Sequence, residues 1–274
     1  MINNEELLKK FNKVTIIGNG PGDIILPNQG TVITFNETRI SSKDVGGRDI
    51  INISNGEVAC SNEPFTVSGK FIDTQDLEVF TKALVETANL LKQQLSCWPS
   101  TGLVTLFTLE KISKDIGVKR MTLLPSLKRR PQMRSSEYLP CMVHNWLGER
   151  RLAMTLKDKV SWPEFVIPEN NFFTLEAEKW NFGCPFTMLI KFNEVYLDKS
   201  MKAIGVMRWL AFCPVLHWLK HVTQSKLLSC EKLFFNEEPD KDSFWYLIDN
   251  EASTYLDPIR AHLAYCQYVK SENQ

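Results

Sequence analysis

The sequence predicts an α/β protein: a Rossmann-like, mostly parallel sheet flanked by helices, with a mainly helical C-terminal extension. Three observations predict it. Short β-branched runs at 14–17, 31–36 and 49–53 each end in small polar residues, the pattern of buried strands closed by tight turns. An amphipathic stretch, Asp76–Leu95, comes after them, as expected where strands and helices share one chain. Beyond about residue 160 the texture changes to apolar, aromatic and helix-like segments. The domain boundary is therefore placed there, with 1–160 as a Rossmann-like domain and 161–274 as an extension.

The elements follow in order. Val14-Thr15-Ile16-Ile17 is a strand ended by Gly18-Asn19-Gly20-Pro21-Gly22-Asp23. Thr31–Asn36 is a second strand, and Asp49–Ile53 a third, closed by Ser54-Asn55-Gly56. Parallel strands of this kind bind ligands beyond their carboxyl ends. Leu77, Phe80, Leu84, Ala88, Leu91 and Leu95 recur at helical spacing, and Asp73 or Thr74 can cap the start. Pro99-Ser100-Thr101-Gly102 then precedes an apolar stretch, Leu103–Leu109. Such a turn presents hydroxyls and backbone N–H groups at a helix N-terminus, a favourable seat for an anion. Lys119–Leu124 reads as a further strand. Lys202–Val222 reads as an apolar helix that Pro214 should kink or break. The acid-rich segment Glu231–Glu251 belongs on the surface, and Ala252–Val269 reads as a closing helix with Pro258 in its early part.

Composition narrows the function classes. The 274 residues are 43% hydrophobic and 11% aromatic, enough to build a core. Lys+Arg and Asp+Glu both number 32, so the net charge is zero and a nucleic-acid partner is not expected. A local basic run, Lys119–Arg134, holds Lys119, Arg120, Lys128, Arg129, Arg130 and Arg134 without an acid. It reads either as a patch facing a phosphate or as a solvated loop. The 7 Cys are scattered without a Cys-x-x-Cys, which argues against a zinc ribbon and for thiols of a reducing compartment. His217 and His221 share a helix face, but no third ligand is evident, so no metal is expected. Met1–Lys10 lacks the apolar core of a signal peptide, and no apolar run reaches the roughly 18 residues of a spanning helix. The expected location is cytoplasmic. A peripheral contact at the inner membrane surface stays open, because Trp209, Phe212, Trp218 and Leu219 beside Lys202, Arg208 and Lys220 fit either a core or a membrane-surface helix.

The residues that carry chemistry gain meaning as a set. In chain order they are a strand ending in Ile-Ile-Gly-Asn-Gly-Pro, a strand ending in Phe-Asn, a helix, Pro-Ser-Thr-Gly-Leu, a strand, and His144-Asn145-Trp146-Leu147-Gly148-Glu149. This order, over about residues 13–151, resembles the sialyltransferases, whose motifs include a Gly-Asn-Gly-Pro-type turn, Pro-Ser-Thr-Gly and His-x-x-x-x-Glu. The resemblance implies that 1–160 binds a nucleotide sugar; it does not extend to 161–274, which is left as a lid, an acceptor-side region or an oligomer interface. It implies a CMP-sugar donor, a glycan or lipid-linked oligosaccharide acceptor, and no cofactor or metal. Gly18, Asn19 and Gly20 would meet the nucleotide, with Gly20 admitting close backbone approach. Asn36 would hold the donor near its leaving group, and Ser100, Thr101 and Gly102 would bind cytidine or ribose. His144 would be the general base. Asn55 is added from its place at a strand end. Glu149 either orients His144 or caps the helix containing Arg150 and Arg151. Gly22 stands where the family often has Ser, and Tyr138 is the only tyrosine between Lys119 and His144. These departures leave CMP-Kdo beside CMP-sialic acid as donor.

The chemistry suits such a transfer. A base must take the acceptor hydroxyl proton, and an imidazole of pKa about 6.5 is matched to that step. Backbone N–H groups, Asn side chains and cations can stabilise the charge on the departing phosphate. Within residues 13–151 no Asp-x-Asp occurs to clamp a metal. Two rivals are a nucleotide-binding or scaffolding protein without catalysis, and a dinucleotide oxidoreductase. The latter is disfavoured because Gly18-x-Gly20-x-Gly22 lacks the third glycine at its usual spacing and Asn36 stands where an acid is expected.

Overall fold

The computed structural model describes residues 10–23, 26, 28–36, 49–55, 64–70, 74–134, 136–167, 172, 183–236 and 244–272. Asp73, Gly56 and the 237–243 part of the acid-rich segment lie outside them. The chain forms two compact units, Met1–Leu123 with Thr155–Phe165, and Leu124–Met154 with Val166–Gln274. The division differs from a single boundary near residue 160: residues 124–154 belong with the helical unit.

The first unit is the Rossmann-like sheet. Its strands are β1 (Lys13–Ile17), β2 (Thr31–Phe35), β3 (Ile50–Asn55), β4 (Phe65–Lys70), β5 (Asp115–Lys119) and β6 (Val160–Ser161), in the order β4-β3-β2-β1-β5-β6. All neighbours run parallel except β3 and β4. Every residue of β2 and all but the first of β1 are buried. Continuous apolar strands of this kind belong to the interior of a parallel sheet covered on both faces. Helix α1 (Thr74–Leu95) turns Phe80, Leu84, Ala88, Leu91 and Leu95 inward and packs on β4 and on α2 (Thr101–Glu110). The hydrophobic effect over these faces, about 25 cal/mol per Å² of apolar area, holds the layers together.

One strand sits elsewhere than the sequence indicates. The expected strand Lys119–Leu124 is instead β5 at Asp115–Lys119, where Ile116 and Val118 are buried in alternation. Asp115, Gly117 and Lys119 mask that alternation in the sequence. Beyond Lys119 the backbone takes positive φ at Arg120 (54°) and Leu123 (50°), which an extended strand cannot contain. β4 and β6 escape sequence reading because both are edge strands with little buried surface.

The second unit is helical: α3 (Trp146–Ala153), α4 (Pro185–Val195), α5 (Met201–Phe212), α6 (Val215–His221), α7 (Gln224–Glu231), α8 (Trp245–Ile248) and α9 (Ser253–Glu272). Pro214 separates α5 from α6, as its missing N–H requires. Ser200 and Thr223 cap α5 and α7 through their hydroxyls. Helix α9 packs against α3, α5, α6, α7 and α8 around a core that includes Phe186, Phe192, Met207, Leu210, Trp218, Trp245, Leu256 and Leu263. Arg129, part of the basic run, is fully buried here: its guanidinium donates to the carbonyls of Arg134 and Glu137 and to Asn250 Oδ1. It holds a loop together and contributes nothing to a surface patch, whereas Lys128, Arg130 and Arg134 are exposed.

Candidate functional site

Parallel register brings the carboxyl ends of β1, β2, β3 and β5 to one edge of the sheet. Ile17 pairs with Lys119 and Thr34, and Phe35 with Ile53. Each strand therefore delivers its next residues to the same rim: Gly18-Asn19-Gly20 from β1, Asn36 from β2, Asn55 from β3 and Arg120 from β5. The chain order reverses between β1 and β5, because β2 lies on one side of β1 and β5 on the other. Open α/β sheets bind ligands at such a switch point.

The rim is tied together by side chains. Asn36 adopts φ 51°, a left-handed conformation that asparagine tolerates better than most residues. Its Oδ1 accepts from the backbone N–H of Asn55 at 3.2 Å. Thr101 Oγ1 donates to Asn55 Oδ1, also at 3.2 Å. Three predicted residues from β2, β3 and α2 thus form one hydrogen-bonded line. Ser100 is buried and spends its hydroxyl as the α2 N-cap, accepting from Leu103 N at 3.3 Å. Asn19, Asn36 and Asn55 are exposed, and Thr101 is half-buried.

The β1 turn docks on the backbone after β5. Gly18 N donates to Lys119 O and Gly20 N to Arg120 O, each at 2.9 Å. Arg120 Nε returns a bond to Gly20 O at 2.6 Å. A Cβ on Gly18 would stand 2.3 Å from Arg120 O, and one on Gly20 would stand 2.6 Å away. Both glycines are thus required by the neighbouring backbone, whatever ligand the turn meets. Gly102 is held less firmly, since a Cβ there would lie 2.5 Å from Met121 Sδ, in a flexible side chain that can shift. Arg120, which the sequence shows only as one member of the basic run, is a residue of this site. Its cation sits against the Gly-Asn-Gly turn, and locating β5 at 115–119 was the signal that would have found it.

His144 and Glu149 belong to the second unit. His144 follows a short 3-10 turn, Pro140–Val143, and Asn145 caps α3 by accepting from Gly148 N at 3.0 Å. The cap role weighed for Glu149 is thus filled by Asn145. Glu149 is fully buried, with Oε1 3.9 Å from His144 Nδ1. That exceeds a hydrogen bond and leaves the carboxylate facing the imidazole. The His144 ring meets Trp146 edge-on at 5.1 Å and keeps 17% side-chain exposure. The next helix residue, Arg150, is also buried; desolvation and then the nearby Arg260 push its pKa down to about 9. Arg260, itself lowered to about 10 by burial, donates to Pro125 O and Asp257. Arg151 forms a two-pronged ion pair with Glu231.

The remaining candidates resolve locally. His217 is buried and within hydrogen-bond range of Gly183 O, its ring 4.9 Å from that of His221. Among the described residues no group of three or more His, Cys, Asp or Glu could hold a metal ion. Among the same residues no helix is long and apolar enough to cross a membrane. No protein-family model, curated protein or solved structure matches the chain.

Proposed function

We propose that the chain is a glycosyltransferase of sialyltransferase type. It moves a 2-keto sugar acid, sialic acid or Kdo, from a CMP donor to a hydroxyl of a glycan or lipid-linked oligosaccharide. The observation that carries this reading is the polar rim at the carboxyl edge of the sheet. Asn19, Asn36, Asn55 and Thr101 stand there with Arg120 beside the β1 turn. Asn and Thr side chains supply hydrogen bonds to ribose and base, and the Arg120 cation with the α2 N-terminus favours phosphate.

In the proposed reaction the acceptor oxygen attacks C2 of the sugar acid while the bond from C2 to the phosphate oxygen breaks. CMP leaves with the electron pair. The acceptor proton passes to Nε2 of His144, and Glu149, facing Nδ1, stabilises the imidazolium that results. Positioning and charge stabilisation by this chain's own groups supply the catalysis.

The test is turnover of a panel of CMP-sugars with and without acceptor glycans. His144→Ala should lower kcat by about 100- to 10,000-fold, the usual worth of a general base, while CMP affinity stays within twofold. Full activity in that variant would remove His144 from the mechanism. A second reading, nucleotide binding without transfer, draws on the 3.9 Å separation of His144 and Glu149; CMP binding with no turnover of any CMP-sugar would favour it.

A further inference from the structure

We propose that the outer faces of α5 and α6 dock on an anionic lipid bilayer. The solvent-exposed residues from Met201 to His221 are Met201, Lys202, Gly205, Arg208, Phe212, Leu216 and Lys220. Every one is apolar, basic or glycine. Soluble helices usually turn acids and neutral polar groups outward; here Met201 is 87% exposed, Leu216 55% and Phe212 41%. On α5, Met201, Gly205, Arg208 and Phe212 recur at i, i+4, i+7 and i+11, which sets them on one stripe. Leu216 and Lys220 repeat the arrangement on α6 at i, i+4. The opposite faces are accounted for: Ile204, Met207, Leu210 and Trp218 are buried in the core, and both helices pack on α9. Trp218, an aromatic that a membrane helix would have offered to lipid, is thus a core residue, and Met201, Phe212 and Leu216 take its place.

Charge complementarity selects the occupant. Between Lys199 and Cys230 the sequence has four Lys or Arg and no acid, in a chain of zero net charge. Of the two acids that flank that stretch, Asp198 and Glu231, the second is already paired with Arg151. A protein partner for an apolar stripe carries no general demand for negative charge; an anionic leaflet does. Apolar side chains would enter the headgroup–acyl boundary while Lys202, Arg208 and Lys220 meet lipid phosphates. This inference stands apart from the transferase reading, since none of its residues belongs to the rim or to the His144 pair.

The experiment is co-sedimentation of the full chain with extruded vesicles of phosphatidylcholine alone or with 30 mol% phosphatidylglycerol, at low and high salt. Binding is expected to the anionic vesicles only and to weaken as salt screens the charges. Met201→Asp with Leu216→Asp should lower the partition coefficient at least tenfold. Arg208→Glu with Lys220→Glu should lower it about 25-fold or more, because each basic side chain near an anionic surface is worth about fivefold. All four sites are exposed, so circular dichroism and Tm should stay at wild-type values. Equal binding to neutral vesicles, no binding to either, or unchanged binding in both variants would overturn the proposal. So would a wild-type dimer in sedimentation velocity that the Leu216→Asp chain loses, which would assign the face to a second copy.

Discussion

Replacing Gly20 by alanine separates what the glycine does for the fold from what the turn does for a ligand. The added Cβ would stand 2.6 Å from Arg120 O and 3.2 Å from Arg120 C, where ordinary van der Waals contact begins at 3.4 Å. Neither neighbour is the tip of a flexible side chain. The turn must therefore move off the backbone after β5, against two bonds it shares with Arg120: Gly20 N to Arg120 O at 2.9 Å and Arg120 Nε to Gly20 O at 2.6 Å. Overpacking of this sort costs about 1–3 kcal/mol, and weakening one hydrogen bond adds about 0.5–1.5 kcal/mol. A loss of about 1.5–4.5 kcal/mol follows, present without any nucleotide. Urea denaturation of the nucleotide-free protein, followed by intrinsic tryptophan fluorescence, should show a lower midpoint at unchanged slope. Because Arg120 is displaced with the turn, CMP affinity should fall as well. A Gly20→Ala chain with the wild-type midpoint would refute the packing argument and leave ligand approach as the only reason for glycine there.

Two further outcomes rest on titratable groups in the helical unit. His262 is buried, stacked 5.6 Å from Trp218, and desolvation lowers its pKa to about 4. The unfolded chain takes up that proton first, near pH 6.5, so stability is full above pH 6.5 and declines as the pH falls towards 4; the loss reaches about 3 kcal/mol. His262→Gln should flatten that limb of the stability profile, and an unchanged profile would show that another group governs it. Among the thiols, burial acts to raise Cys184, but hydrogen bonds from Thr187 and Lys226 outweigh it and hold the group below its ordinary range. Burial pushes Cys213 and Cys230 up to about 12. Cys184 should therefore react with a maleimide well before either, read by peptide mass spectrometry; faster labelling of Cys213 or Cys230 would contradict the packing of that unit.

Much of the sheet is legible in the sequence because buried parallel strands are written as uninterrupted apolar runs. Val14–Ile17 and Thr31–Phe35 carry that mark, and the residues that end them land on the rim for the same reason. β5 is less legible: Asp115, Gly117 and Lys119 dilute its two buried residues, and Met121 and Leu123, buried in a loop, imitate a strand a few residues later. That displacement hid Arg120, whose place beside Gly20 follows only from the register of β5 against β1. Pro214 and the spacing of Ala252–Val269 announce their helices locally. The division of the chain is not local at all. Residues 124–154 join the helical unit, and 155–165 return to add β6, whose two residues bury too little to leave a pattern. Glu149 illustrates the limit for sites: the same spacing suits a cap or a partner for His144, and only the structure shows that Asn145 fills the cap.

The central claim is that the rim at the carboxyl edge of β1, β2, β3 and β5 binds CMP. Isothermal titration calorimetry with CMP, using UDP, GDP and NAD as comparisons, tests it most directly, on the wild-type chain and on Asn19→Ala and Asn55→Ala. The account predicts selective CMP binding that weakens about tenfold or more in each variant, the loss of one or two hydrogen bonds to the ligand. Absence of CMP binding, preference for another nucleotide, or wild-type affinity in both variants would contradict it.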